Sequence, residues 1–165
     1  MTLDTSQRRA ILSHPAGWIA SGFGSGLSPL ASGTVGSAVA LIPWVALRHL
    51  EWPWYLAAIV VAFAIGVWAA GVVIAKIGVE DPGVVVWDEF VGQWIALFPL
   101  VVAPRSAWWM LAGFFLFRLF DVVKPWPASW ADRRVKGGVG TMLDDVFAGA
   151  YAALVLAIGV AATAG

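Results

Sequence analysis

Five carboxylates, Asp88, Glu89, Asp121, Asp144 and Asp145, stand in a chain of 165 residues that is otherwise strongly apolar. They fall in three segments, each bordering a long uncharged run. Acids gathered in this way repel each other and resist burial unless a cation neutralises them. Oxygen donors, with no cysteine and only two histidines in the chain, favour Mg2+ or Mn2+ over zinc. Arg118, Asp121 and Lys124 are spaced i, i+3, i+6, so they project from broadly one side of a helix end. Beside a metal, Arg118 and Lys124 could hold a phosphate, one as a fork and the other as a point charge.

Each of these residues also has a plainer use. Asp144 and Asp145 suit a helix N-terminus, and Thr141-Met142-Leu143-Asp144 fits a capping box with Asp in place of Glu. Arg118 and Lys124 could pair with Asp121 and reach out to lipid phosphates. Together, at the depth implied by short apolar runs, the five acids read as a functional site and provisional metal ligands. Asp132, Arg133, Arg134 and Lys136 read as an exposed loop that meets anionic headgroups.

The composition says what surrounds them. Apolar residues make up 61% and charged residues 12%, against about 45–50% and about 25% in soluble domains. The chain is therefore expected to be an all-α integral membrane bundle, a single domain over 1–165 with the lipid bilayer as its surroundings. Zero net charge gives no reason to expect nucleic acid, and nothing implies a protein partner. Without cysteine there is no thiolate chemistry and no disulfide framework. The N-terminal stretch has no continuous apolar core, so a cleaved signal peptide is not expected.

About five membrane helices are expected, over 34–50, 54–75, 84–103, 107–124 and from Thr141 to the C-terminus. The second is uncharged throughout, a bilayer's length. In the third only 90–103 is uncharged, a rise of about 21 Å against a core of about 30 Å. Its acids therefore sit at the membrane boundary. Before the first helix, residues 21–37 form a Gly- and Ser-rich re-entrant or interfacial segment whose glycines permit close backbone approach. No Lys follows those glycines, so it is not a Walker-type loop. Gly137-Gly138-Val139-Gly140 leads into the last helix and could offer N–H groups to an anion. An anion there would share the helix end with Asp144 and Asp145 only across a divalent cation.

With the N-terminus inside, Arg8, Arg9, Lys76, Arg118, Lys124, Arg133, Arg134 and Lys136 lie on the cytoplasmic side. Only Arg48 and Arg105 lie outside. Trp52, Trp54, Trp108 and Trp109 mark the outer boundary, and Trp87, Trp126 and Trp130 the inner one. All five candidate acids join the inner face, although acids contribute little to orientation. A metal and a phosphate clamp at a membrane surface suggest hydrolysis on a lipid headgroup, with water attacking phosphorus and a free carboxylate as base. His14 and His49 should face opposite sides, which argues against a two-histidine phosphatase, and there is no Gly-x-Ser-x-Gly elbow. A small cation transporter or channel would need polar residues across the membrane, which 54–75 lacks. A headgroup phosphotransferase would usually show a dense Asp-Gly…Ala-Arg…Asp…Asp run, which is absent.

Four segments together resemble the phosphatidylglycerophosphatase A family. They are Gly26-Leu27-Ser28-Pro29 through Gly33-Thr34-Val35-Gly36-Ser37, Asp81-Pro82 through Asp88-Glu89 and Gly92, Phe117-Arg118-Leu119-Phe120-Asp121 through Lys124-Pro125-Trp126-Pro127, and Gly137-Gly138 through Leu143-Asp144-Asp145 and Gly149. Ser32 and Thr141 depart from the expected pattern at uncharged positions. The resemblance implies a Mg2+-dependent enzyme of the bacterial inner membrane. Such an enzyme removes the terminal phosphate from phosphatidylglycerophosphate to give phosphatidylglycerol. Its site would lie on the cytoplasmic side of a multi-pass protein. Asp88, Glu89, Asp121, Asp144 and Asp145 would then be catalytic and metal-binding, and Arg118, Lys124, Gly26, Ser28, Thr34 and Gly138 would contact substrate.

Overall fold

The computed structural model describes residues 5–163. Among the described residues there are nine α-helices, one 3-10 turn and no strand. Two short helices come first, α1 (Thr5–Leu12) and α2 (Pro15–Ala20). His14 Nδ1 accepts from the Ala16 N–H at 3.1 Å and Pro15 opens α2, a favourable start. Gly22, Phe23 and Gly24 then turn the chain through positive φ into the 3-10 turn Ser25–Leu27. The longer helices follow: α3 (Ser32–Leu47), α4 (Trp52–Ile77), α5 (Trp87–Ala96), α6 (Phe98–Val102) and α7 (Ala107–Val123). The described chain closes with α8 (Ala128–Arg134) and α9 (Gly137–Ala162).

Helix α9 is the centre of the bundle, packed by α4, α5, α7 and α8. Small residues set its closest approaches. A Cβ on Gly149 would lie 2.5 Å from the Gly92 carbonyl oxygen, and one on Gly92 would lie 2.8 Å from that of Asp145. Helices α5 and α9 therefore meet backbone to backbone, as small residues allow inside membranes. Around this crossing Trp44, Tyr55, Phe90, Trp94, Met142 and Leu156 form the main apolar core. Indole and phenol groups tie it together by donating to helix carbonyls: Trp94 to Ala40 at 2.9 Å, Trp87 to Ala62 at 2.9 Å and Tyr55 to Trp94 at 2.7 Å. Each donation satisfies a polar atom that would otherwise be stranded in an apolar interior. A second cluster joins Ile11, Ala16 and Ala20 to Ala69, Ala70 and Val73, holding the N-terminal helices against α4.

Several expectations change in detail. The helix expected over 84–103 is divided at Leu97 into α5 and α6, because Pro99 cannot donate to the preceding turn and its ring crowds it. The last helix starts at Gly137 rather than near Thr141, placing Asp144 and Asp145 about two turns inside it. No capping box forms there; Thr141 Oγ1 donates back to the Gly137 carbonyl at 3.3 Å. Trp87, expected at the inner boundary, is half-buried and stacks on Phe90. Two helices, α4 and α9, have the length and hydropathy needed to cross a bilayer. Ile42, Val60, Phe115 and Ile158 are exposed on the outer faces of α3, α4, α7 and α9, an exterior suited to hydrocarbon.

The glycine crossing yields a direct test. Gly149→Leu should destabilise the protein in detergent by at least about 1–3 kcal/mol, the usual cost of overpacking. Gly71→Ala, where an added Cβ meets nothing within 4 Å, should remain near wild type. Thermal unfolding of the three proteins checks this.

Candidate active site

The α5–α9 crossing brings three carboxylates together. Asp88 and Glu89 occupy the first turn of α5, and Asp145 projects from α9 one turn before Gly149. Each can offer an oxygen such that all three lie within 4.8 Å of one another. Asp88 and Asp145 are buried, and only 13% of the Glu89 side chain is exposed. Glu89 Oε2 and Asp145 Oδ2 are buried with no hydrogen-bond partner. Asp88 Oδ1 accepts from the Glu89 N–H at 3.1 Å. Unpartnered buried carboxylate oxygens are costly, so these atoms are donors lacking an acceptor of electrons. A hard divalent cation fits that set.

Arg118 closes one side. Its Nη1 lies 2.6 Å from Asp121 Oδ2, 3.9 Å from Glu89 Oε1 and 3.2 Å from Ser37 Oγ, to which it donates. Ser37 in turn donates to the Gly33 carbonyl at 2.8 Å. Gly33 must be small, because a Cβ there would fall 2.2 Å from Glu89 Oε1 and 3.2 Å from Arg118 Nη1. The start of α3 therefore lies directly on the Glu89–Arg118 pair. One guanidinium faces Glu89 and Asp121, with Asp88 and Asp145 nearby, so four carboxyl groups share a single protein cation.

Lys124 forms a second centre. It ends α7 in a left-handed conformation, and its ammonium donates to Asp144 Oδ2 at 2.7 Å and to Asp132 Oδ1. Burial works against its charge, but the hydrogen bonds to Asp132 and Asp144 outweigh this and hold it above the ordinary lysine range. Asp81, in the loop between α4 and α5, is pushed above the usual carboxylate range by burial, against the pull of Lys124.

The five candidate acids thus divide three ways. Asp88, Glu89 and Asp145 converge, Asp121 positions Arg118, and Asp144 pairs with Lys124. Gly138 lies against α4, where a Cβ would fall 2.1 Å from the Val67 carbonyl oxygen. The Gly137 N–H at that helix start donates to Glu80 Oε2 at 3.1 Å. Gly26 sits against the Val84 carbonyl, Ser28 Oγ donates to Leu30 O at 2.9 Å, and Thr34 is exposed on the first turn of α3. Sequence reasoning passed over Gly33, Ser37 and Asp132 as site residues. The i, i+4 spacing of Gly33 and Ser37 was the available signal; Asp132 gave none.

Comparison with known proteins identifies the family. The model of the family Phosphatidylglycerophosphatase A matches residues 18–160. The chain belongs to that family. It is 43% identical to the Phosphatidylglycerophosphatase A of Escherichia coli (strain K12) over 93% of this chain and 88% of that protein. It is 39% identical to the protein of that name from Haemophilus influenzae, over 94% and 95%. A Bacteroides thetaiotaomicron relative named "Putative phosphatidylinositol-3-phosphatase" is 46% identical over 85% and 90%. No solved structure matches the chain. The family match spans every residue of the acid cluster, Arg118 with its partners, and Lys124 with Asp132 and Asp144.

A cation at this phosphatidylglycerophosphatase A family site should stabilise the fold by linkage. At a hundredfold excess over Kd the gain would be about 2.7 kcal/mol. Unfolding in detergent should therefore shift upward with added Mg2+ or Mn2+. Asp145→Asn should raise the midpoint in chelator by removing one buried like charge, and should lose the cation-dependent shift.

Proposed function

We propose that the protein hydrolyses the terminal phosphate of phosphatidylglycerophosphate, yielding phosphatidylglycerol and phosphate, at a Mg2+-holding carboxylate site. The observation that carries this reading is the convergence of Asp88, Glu89 and Asp145, two of them with unpartnered buried oxygens, beside Arg118. Family membership supplies the substrate. The names of the Escherichia coli and Haemophilus influenzae relatives state the same reaction class.

Asp88, Glu89 and Asp145 would hold the cation. When bound, it would offset the charge of the phosphoryl oxygens and acidify water. The chain's own residues do the rest. Arg118, aimed by Asp121 and Ser37, meets the phosphate oxygens as a planar donor fork. Gly33 lets the α3 backbone approach Glu89 and Arg118, so the phosphate is enclosed from that side. An oxygen of the acid cluster that the cation leaves free accepts the proton of the attacking water. Lys124, engaged with Asp132 and Asp144, braces α7 against α8 and α9 and offsets part of the charge of those two carboxylates.

The remaining topology belongs to the same proposal. Helices α3, α5 with α6, and α7 would complete five crossings with α4 and α9. At 17 residues α7 rises about 26 Å, close to the thickness of a bilayer core. The excess of Lys and Arg at the acid-cluster end supports a cytoplasmic orientation of that end in a bacterial inner membrane.

Phosphate release from phosphatidylglycerophosphate in mixed micelles tests the reading. Asp88→Asn and Asp145→Asn should abolish Mg2+-dependent turnover while the protein still inserts. Asp121→Asn should retain measurable turnover, lower by about a hundredfold, the scale of a misplaced contact. Near-normal rates in all three would remove the site assignment. Phosphatidylinositol 3-phosphate, assayed in parallel, should turn over more slowly; faster turnover would reassign the substrate to the class named for the Bacteroides relative.

A further inference from the structure

A cleft of about 450 Å³ is lined by Arg8, Gly26, Ser28, Ser32, Asp81 and Gly83 among others. That volume falls within the range of about 300–1,000 Å³ typical of small-molecule sites. The start of α3 links the cleft to the reacting end. Ser32 Oγ donates to Gly83 O at 2.7 Å across its wall, and the next residue, Gly33, lies on Glu89 and Arg118. Gly26 lets this wall pack directly on the Val84 backbone, where a Cβ would meet the carbonyl oxygen at 2.1 Å. Leu30, 78% exposed, borders the lining residues and gives the rim an apolar side for lipid.

The charge pattern selects a ligand. Arg8 is exposed, lines the cleft and has no carboxylate partner among the described residues. Asp81 is the acidic member of the same lining. A guanidinium without a carboxylate partner among the described residues, together with one carboxylate, suits an anion with an adjacent hydroxyl. Building on the hydrolase reading above, we propose that this cleft binds the non-reacting half of the lipid headgroup. Arg8 holds the internal phosphodiester, and Asp81 accepts a hydrogen bond from the glycerol hydroxyl between the two phosphates. The acid cluster then takes the monoester, while Arg8 measures how far it stands from the lipid. Lipids with a phosphomonoester but no internal phosphodiester would leave Arg8 unused.

The probes are glycerophosphoglycerol, a soluble diester without a monoester, and inorganic phosphate, which competes only at the acid cluster. Both should inhibit the wild-type enzyme. In Arg8→Gln the inhibition constant for the diester should rise about tenfold, the scale of one lost charge-assisted contact. The constant for phosphate should stay unchanged, KM for phosphatidylglycerophosphate should rise with the diester constant, and Arg8→Lys should restore most of both. The proposal is overturned if the diester fails to inhibit wild type, if Arg8→Gln leaves its constant unaltered, or if both constants weaken equally. If wild type releases no phosphate from the lipid, the hydrolase reading falls instead. Calorimetric binding of glycerophosphoglycerol to wild type and Arg8→Gln then still decides the cleft.

Discussion

Three carboxylates held within 4.8 Å of one another inside an apolar bundle are the constraint on which the structure turns. Two like charges about 4 Å apart repel by about 4 kcal/mol at an effective dielectric constant of 20. Burial limits how far solvent can relieve this, with Asp88 8% and Asp145 3% exposed. The close approach of α5 and α9 depends on Gly92 and Gly149, whose missing side chains let the two backbones touch. The same glycines that tighten the bundle therefore force Asp88 and Glu89 toward Asp145. A stable core and an electrostatically unsatisfied site arise from a single contact, and a bound cation would reconcile the two.

Beside this centre, two cations at the end of α7 are held by partners on α7 itself and on other helices. Arg118 is held by Asp121 within α7 and by Ser37 of α3, and Lys124 by Asp132 of α8 and Asp144 of α9. These contacts reach from one end of α7 to three other helices. They hold two cations near a place where a phosphate would arrive. Half-buried pairs of this kind add little net stability; their value lies in orientation. The division is visible in the unpartnered atoms: Glu89 Oε2 and Asp145 Oδ2 lack partners, whereas Asp144 is engaged.

How much was legible beforehand varied by residue. The acids, Arg118 and Lys124 stood out because charge is rare in this chain, and α4 stood out because a bilayer-length uncharged run has few other meanings. Helix ends were less readable. Pro99 signalled a break that overall hydropathy concealed, and Gly137, with its positive φ, lay hidden among neighbouring glycines. Gly33 looked like one flexible residue among many until the space it leaves for Glu89 and Arg118 was seen. Asp132 resembled the solvated charges next to it; only the fold carries it back to Lys124.

The sequence by itself determined the helical class, the apolar surroundings and the list of groups able to do phosphate chemistry. Those properties follow from composition and local spacing. The tertiary structure alone decided that Asp88, Glu89 and Asp145 converge while Asp121 and Asp144 serve their basic neighbours. Helices that cross at glycines choose which side chains meet, and that choice depends on contacts between residues about 57 positions apart, such as Gly92 and Gly149. Spacing along the chain carries no record of such a distance. The five carboxylates that opened the problem are thus a cluster of three, with Asp121 at its edge through Arg118, and Asp144 paired with Lys124.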